Sequence, residues 1–200
     1  SQKGLMTPPG LAFVAANDRA RERHRHAGLR TPYWDWTARE GLEHYRKYAG
    51  TAPVHLLFAL RKALDMLFAE GLESSFTRHR LLAAAVRRAV EIWARGDVVE
   101  FNIRDAAERS DTVTTIRLGS GYDPAALQAY CKEKCGVVLG TGIGDLAGKA
   151  FRIAHMGHVN APMILGTLGV VEMALRALRI PHGEGGATAA IQSLADAVEP

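Results

Sequence analysis

Two long apolar helical patterns follow one another with only Glu70-Gly71-Leu72 between them, and they limit the chain to folds built on stacked helices. In the first, Val54 to Ala69, the polar residues His55, Arg61, Lys62 and Asp65 share a narrow stripe. Val54, Leu57, Phe58, Leu64 and Phe68 are among the residues filling the rest. A helix this apolar is expected to be buried on several sides, so it reads as a connection between domains or a piece of a subunit interface. The second, Glu73 to Trp93, has one inner face (Phe76, Leu81, Leu82, Ala85, Val86, Ala89, Val90, Trp93) and an outer face of arginines. Downstream the period shortens. Val98–Phe101 reads as a short strand, and Thr112–Leu118 as a stronger one, alternating and rich in branched residues. A helix opened by Pro124 follows, then strands at Gly136–Gly140 and Ala150–His155, then helices at Met163–Leu178 and Ala187–Ala197. The glycine-bearing loop Thr141–Gly148 reads as a hairpin connection. A dinucleotide fingerprint needs a helix after its glycines, and here the Phe151 strand comes next. This order predicts a layer of helices on a small, mainly antiparallel sheet: an α+β domain over residues 70–200. Residues 1–69 read as the end of a larger domain plus the connecting helix, with Leu11–Ala16 as a buried strand.

At 200 residues and 48% apolar the chain can bury a real core. No apolar run reaches the roughly 18 residues a bilayer span needs, so no membrane partner is expected. The charge of +4 is modest and concentrated in Arg19–His26. That run lacks aromatics for base stacking; it reads as a solvated helix face or as a bias toward anionic metabolites, and no nucleic acid is expected. Cys131 and Cys135 lie four apart on one helix, which suits a reducing, cytoplasmic compartment better than a disulfide framework. No metal site is expected.

The densest local chemistry is Ser1-Gln2-Lys3-Gly4-Leu5-Met6-Thr7-Pro8-Pro9-Gly10. Glycine admits backbone conformations that other residues resist, and the prolines hold the chain extended. Lys3 has two readings: a solvated charge, or a positioned amine able to form a Schiff base with a carbonyl compound. The segment starts without Met, and the chain reads as the later part of a longer one. Tyr33-Trp34-Asp35-Trp36 is either a packed loop or the wall of a pocket.

Four separated stretches together resemble the class V aminotransferases: Ser1-Gln2-Lys3-Gly4 with Pro8-Pro9-Gly10, Tyr48-x-x-Thr51-x-Pro53, Thr112–Thr115, and Phe151-Arg152-Ile153-x-His155-x-Gly157. The serine–glyoxylate and alanine–glyoxylate aminotransferases are the branch most resembled. The resemblance spans the whole chain but only the second half of a family member. It implies the second half of an α/β fold-type I transferase and pyridoxal 5'-phosphate as cofactor. It further implies transfer of an amino group from serine, aspartate or alanine to glyoxylate. By position, Lys3 is the Schiff-base lysine, Gln2 lies near the cofactor phosphate, and Tyr48 and Thr51 reach the phosphate of a neighbouring subunit. Arg152 is the grip on the substrate carboxylate. The implied partners are amino and keto acids, the N-terminal segment of the same protein, and a second subunit sharing the active site in a homodimer or larger assembly. His155 is read as a supporting structural histidine, and Arg30 as a candidate second cation for a dicarboxylic donor. Pyridoxamine–pyruvate aminotransferase, cysteine desulfurase and a noncatalytic helical interaction domain remain as alternatives.

Overall fold

The computed structural model describes residues 1–197, which fall into two compact units, Ser1–Ala69 and a second beginning at Glu70.

The first unit holds few regular elements. Helix α1 spans Asp18–Arg25, with the Asn17 side chain accepting from the Ala20 amide at 3.0 Å as its N-cap. A 3-10 turn at Thr37–Arg39 and a one-turn helix α2, His44–Lys47, lead to α3, Val54–Glu70. Leu11–Ala16 has no regular secondary structure and pairs with no strand among the described residues, which departs from the buried strand expected there. Phe13 and Val14 are exposed, Val14 at 71%. The expectation for α3 is also unmet within this chain. Ala63 is its one buried residue, while Phe58 and Phe68 are 73% and 67% exposed. The reason is scale: a segment of 69 residues, without a sheet, lacks the surface to cover so apolar a helix.

The second unit is a four-stranded antiparallel sheet against helices. Helix α4 spans Leu72–Trp93, β1 Val99–Phe101 and β2 Val113–Leu118. Then come α5, Pro124–Cys135, the two-residue β3, Gly140–Thr141, and β4, Ala150–Ala154. Helices α6, Ala161–Ala177, and α7, Gly186–Ala195, complete it. The strand order is β1-β2-β4-β3, with Thr115 opposite Arg152 and Gly140 opposite Arg152 on the other side. The predicted hairpin is therefore present, although its first strand is far shorter than Gly136–Gly140. In β2 the alternation of sequence becomes alternation of burial: Thr114, Ile116 and Leu118 are buried, and the residues between are half-covered. Trp93, Ile116, Leu127, Phe151, Leu168 and Leu175 are among the fully buried core side chains.

The helix starts are set by side chains the sequence supplies. Asp123 accepts from the Ala125 amide at 2.8 Å before Pro124, and Asn160 from the Met163 amide at 3.1 Å before Pro162. Helix α7 has no such cap of its own. Glu172, on α6, accepts from the amides of Gly185 and Ala187, both at 2.6 Å. Gly186 is glycine for space: a Cβ there would overlap the Trp93 indole.

Candidate active site

In the first unit, Lys3 opens a tight turn in which its carbonyl accepts from the Met6 amide at 2.9 Å. Met6 and Gly10 take the left-handed backbone in this stretch, with φ of 58° and 134°; Gly4 does not. The unusual conformation expected beside the lysine is thus displaced to Met6. Lys3 and Gln2 are exposed, and Lys3 forms no ion pair with the described residues. Tyr48 closes α2 and is 41% exposed; Ala49 (φ 56°) and Gly50 (φ 145°) then turn the chain to Thr51, which is exposed. Arg30 is exposed, and its charge helps to hold Asp35 ionised.

Both readings of the aromatic cluster are realised. His24 stacks on Trp36, centroids 4.8 Å apart, and lies 2.8 Å from the Asp35 carboxylate, while Arg39 donates to the Tyr33 carbonyl at 2.7 Å. The His24 hydrogen bond is the main cause that puts the Asp35 pKa below the usual carboxylate value. The same residues wall a groove of about 590 Å³, with Tyr33, Trp34, Trp36, Arg39, Lys47 and Tyr48 in its lining. Of the sequence-predicted site residues, Tyr48 alone lines it; Gln2, Lys3, Arg30 and Thr51 do not.

In the second unit, Arg152 lies on β4 between β2 and β3. Its Nε donates to the Thr141 carbonyl at 2.7 Å, and its guanidinium lies along Gly140. Among the described residues eleven ion pairs form, and no carboxylate pairs with Arg152. A half-buried arginine fixed through Nε and without an anion is a ready carboxylate receptor.

His155, three residues on, is fully buried. Nδ1 lies 3.0 Å from the Asp111 carbonyl, which can only accept, so Nδ1 carries the proton. Nε2 then accepts from the Thr114 hydroxyl at 2.9 Å. Burial is the main cause that pushes the ring down to about 4 from 6.5, so it is neutral at pH 7. Arg87 ties down the loop that presents this carbonyl, donating to Ser110 O at 2.8 Å and to the Asp111 carboxylate at 2.9 Å.

Sequence reasoning missed the residues that hold the chain just after β4 and the start of β3. On α4, His79 accepts from the Gly157 amide at 3.0 Å, and Arg78 donates to the carbonyls of Gly157 and Val159, each at 2.9 Å. Arg78 also pairs with Glu70 through two hydrogen bonds of 2.6 and 2.9 Å. On α5, Gln128 donates to the Gly140 carbonyl at 2.8 Å. Arg78 carried one signal, an outward arginine at the start of a long helix; Gln128 carried none. Cys131 is buried, and its thiol is pushed up to about 11, chiefly by burial, so it stays protonated and unsuited to the thiolate work of a desulfurase.

No protein-family model matches the chain. It is 35% identical over 198 residues to L-aspartate–glyoxylate aminotransferase of Paracoccus denitrificans, covering 96% of this chain and 48% of the relative. It is 34% identical over 196 residues to serine–glyoxylate aminotransferase of Methylorubrum extorquens, covering 94% and 48%. The crystal structure of ureidoglycine–glyoxylate aminotransferase from Bacillus subtilis superimposes with a TM-score of 0.81 at 26% identity, over 96% of this chain and 50% of that one. Over nearly its whole length the chain is similar to glyoxylate aminotransferases of the class V, fold-type I group, and it spans about half the length of the relatives it matches. It corresponds to their C-terminal half. Within the class it is related to the serine– and alanine–glyoxylate aminotransferases.

Proposed function

We propose that this chain forms the C-terminal half of a pyridoxal-phosphate-dependent aminotransferase that passes an amino group from L-serine, L-aspartate or L-alanine to glyoxylate. The observation that carries the reading is the similarity of nearly the whole chain to two glyoxylate aminotransferases that differ in donor. The free thiols fit a cytoplasmic enzyme. Tyr48 and Thr51, as residues serving a neighbouring subunit's site, would make the active unit a homodimer or a larger assembly.

The donor set suits the cofactor. Lys3 offers an exposed primary amine without a carboxylate partner among the described residues. The Tyr48 and Thr51 hydroxyls likewise lack hydrogen-bond partners within that set. When bound, pyridoxal phosphate supplies an aldehyde and an electron-withdrawing ring.

The chain's own residues do the rest. Lys3 would hold the cofactor through its amine and, once that amine is released, would take the proton from the α-carbon of the donor. Arg152 binds the α-carboxylate with the guanidinium edge left free by the Thr141 contact, which fixes the direction of the Cα–H bond. Tyr48 and Thr51 would donate to the phosphate, and Gln2 would lie near it. Arg30 is the candidate second cation for aspartate.

Lys3→Ala in the complete enzyme tests this assignment. We expect loss of the visible absorbance of the lysine-bound cofactor and of transamination from serine, aspartate and alanine alike. A variant with the parent spectrum would remove Lys3 from the chemistry.

A further inference from the structure

Arg152 owes its place to a residue that has no side chain. Gly140 lies directly opposite it on β3, and a Cβ added there would stand 3.2 Å from Arg152 Cβ, 3.3 Å from Nε and 3.5 Å from Nη2. The first two separations are tighter than nearly all real Cβ contacts and the third is ordinary contact, so a side chain at this position would make Arg152 give way by a few tenths of an ångström. Conformation is not the reason for the glycine. Gly140 is absent from the residues with left-handed φ, so another residue could adopt its backbone without strain. Its neighbour Thr141 accepts the Nε–H, and Gln128 of α5 holds the Gly140 carbonyl at 2.8 Å. Helix, edge strand and guanidinium therefore form one chain of contacts. A two-residue strand paired on one side alone has little else to fix it.

We propose that Gly140 and Gln128 are positioning residues for carboxylate recognition: Gly140 leaves the floor on which the Arg152 guanidinium lies, and Gln128 anchors that floor to α5. With Nε committed to Thr141, the two Nη groups are the donors that remain for a ligand, and a bidentate grip depends on their angle. A Cβ at position 140 pushes against the Arg152 Cβ and Nε, shifting the fork and straining the Nε contact. Loss of the Gln128 amide frees the strand and blurs the same angle. The ligand class is the α-carboxylate of an amino or keto acid. The inference rests on reading Arg152 as the carboxylate grip.

The test is a mutant cycle in the complete enzyme with Gly140→Ala, Arg152→Ala and the double variant. Gly140→Ala should raise KM for the amino donor about tenfold with kcat changed far less, since a displaced fork weakens orientation and leaves the reacting groups in place. In the Arg152→Ala background the same substitution should add nothing. Gln128→Ala leaves the backbone unobstructed and should give a smaller rise of the same kind, which keeps the proposal open to refutation if Gly140→Ala does not fold. Independently of activity, the Arg152 Nε–H resonance should exchange slowly with water in the parent and rapidly in the Gly140→Ala and Gln128→Ala variants. An unchanged KM in Arg152→Ala removes the carboxylate reading and this inference with it. A raised KM there, beside parent-like Gly140→Ala and Gln128→Ala enzymes, overturns the inference alone. So does a Gly140→Ala effect that persists without Arg152.

Discussion

Single side chains in this protein act through what burial forces on them. His155 has no exposed surface and a carbonyl on one nitrogen, so it must be neutral with its proton on Nδ1. The folded ring titrates near 4 against 6.5 when exposed, with Arg87 and His79 adding to the penalty of burial. A depressed folded value means that stability is complete above pH 6.5 and is lost as pH falls toward 4, because the unfolded chain takes up a proton that the folded one refuses. The loss at full protonation is about 3 kcal/mol, from 1.36 kcal/mol per pKa unit. Unfolding followed between pH 7 and 4 should be less steep in pH for His155→Gln by close to one proton. Equal slopes in the two proteins would assign the acid sensitivity elsewhere. The role of His155 as a support was implied by a resemblance around Arg152. Its partners Thr114 and Asp111 were not legible, because they lie over forty residues away and meet it only once β2 and β4 pair.

At the scale of elements, legibility followed periodicity. Helix α4 and strand β2 carry their inner faces in the spacing of their residues, and both occur close to where that spacing puts them. Leu11–Ala16 is as apolar as a strand should be, yet no ladder forms, since apolarity specifies burial and not the identity of a partner. Strand β3 shrank to Gly140–Thr141 for a related reason: Val138 points to solvent at the end of α5 and β4 offers pairing to only two residues. Helix α7 shows what local sequence omits. Its start has glycine where a capping side chain would stand, and the cap arrives from α6 as Glu172. Burial alone would raise the pKa of Glu172, but the amides of Ala187 and Gly185 outweigh it and hold the carboxylate below its usual value. Glu172→Ala should cost about 2 kcal/mol, the worth of hydrogen bonds to a charged group, and should do so first at the start of α7. Amide exchange read residue by residue should accelerate at Gly185 and Ala187 well before it changes in α4; uniform acceleration would mean that Glu172 supports the whole unit.

The two units of the molecule differ in how fully each is closed. The second has a continuous core running from Trp93 through Phe151 to Leu175. The first presents Phe13, Val14, Phe58 and Phe68 to solvent and draws its order from a knot of side chains around Trp36. Hydrogen exchange on this 200-residue chain should therefore show protected amides in β2 and α4 and none in residues 12–16, where no ladder bonds exist. Protection in residues 12–16 would reveal a partner strand supplied by association. The domain roles implied by the resemblance, the end of a cofactor domain and a small C-terminal domain, give this asymmetry a proposed meaning: the open unit is the part that the rest of the enzyme would cover.

The rims of the sheet carry a further consequence. One outer strand has three residues and the other two, while the longer β2 and β4 lie inside, each flanked on both sides. Backbone groups left free at such short borders give a stray chain almost nothing to zip onto. A protein that exposes so many aromatic and aliphatic side chains elsewhere thus keeps its β-structure from seeding fibrous growth.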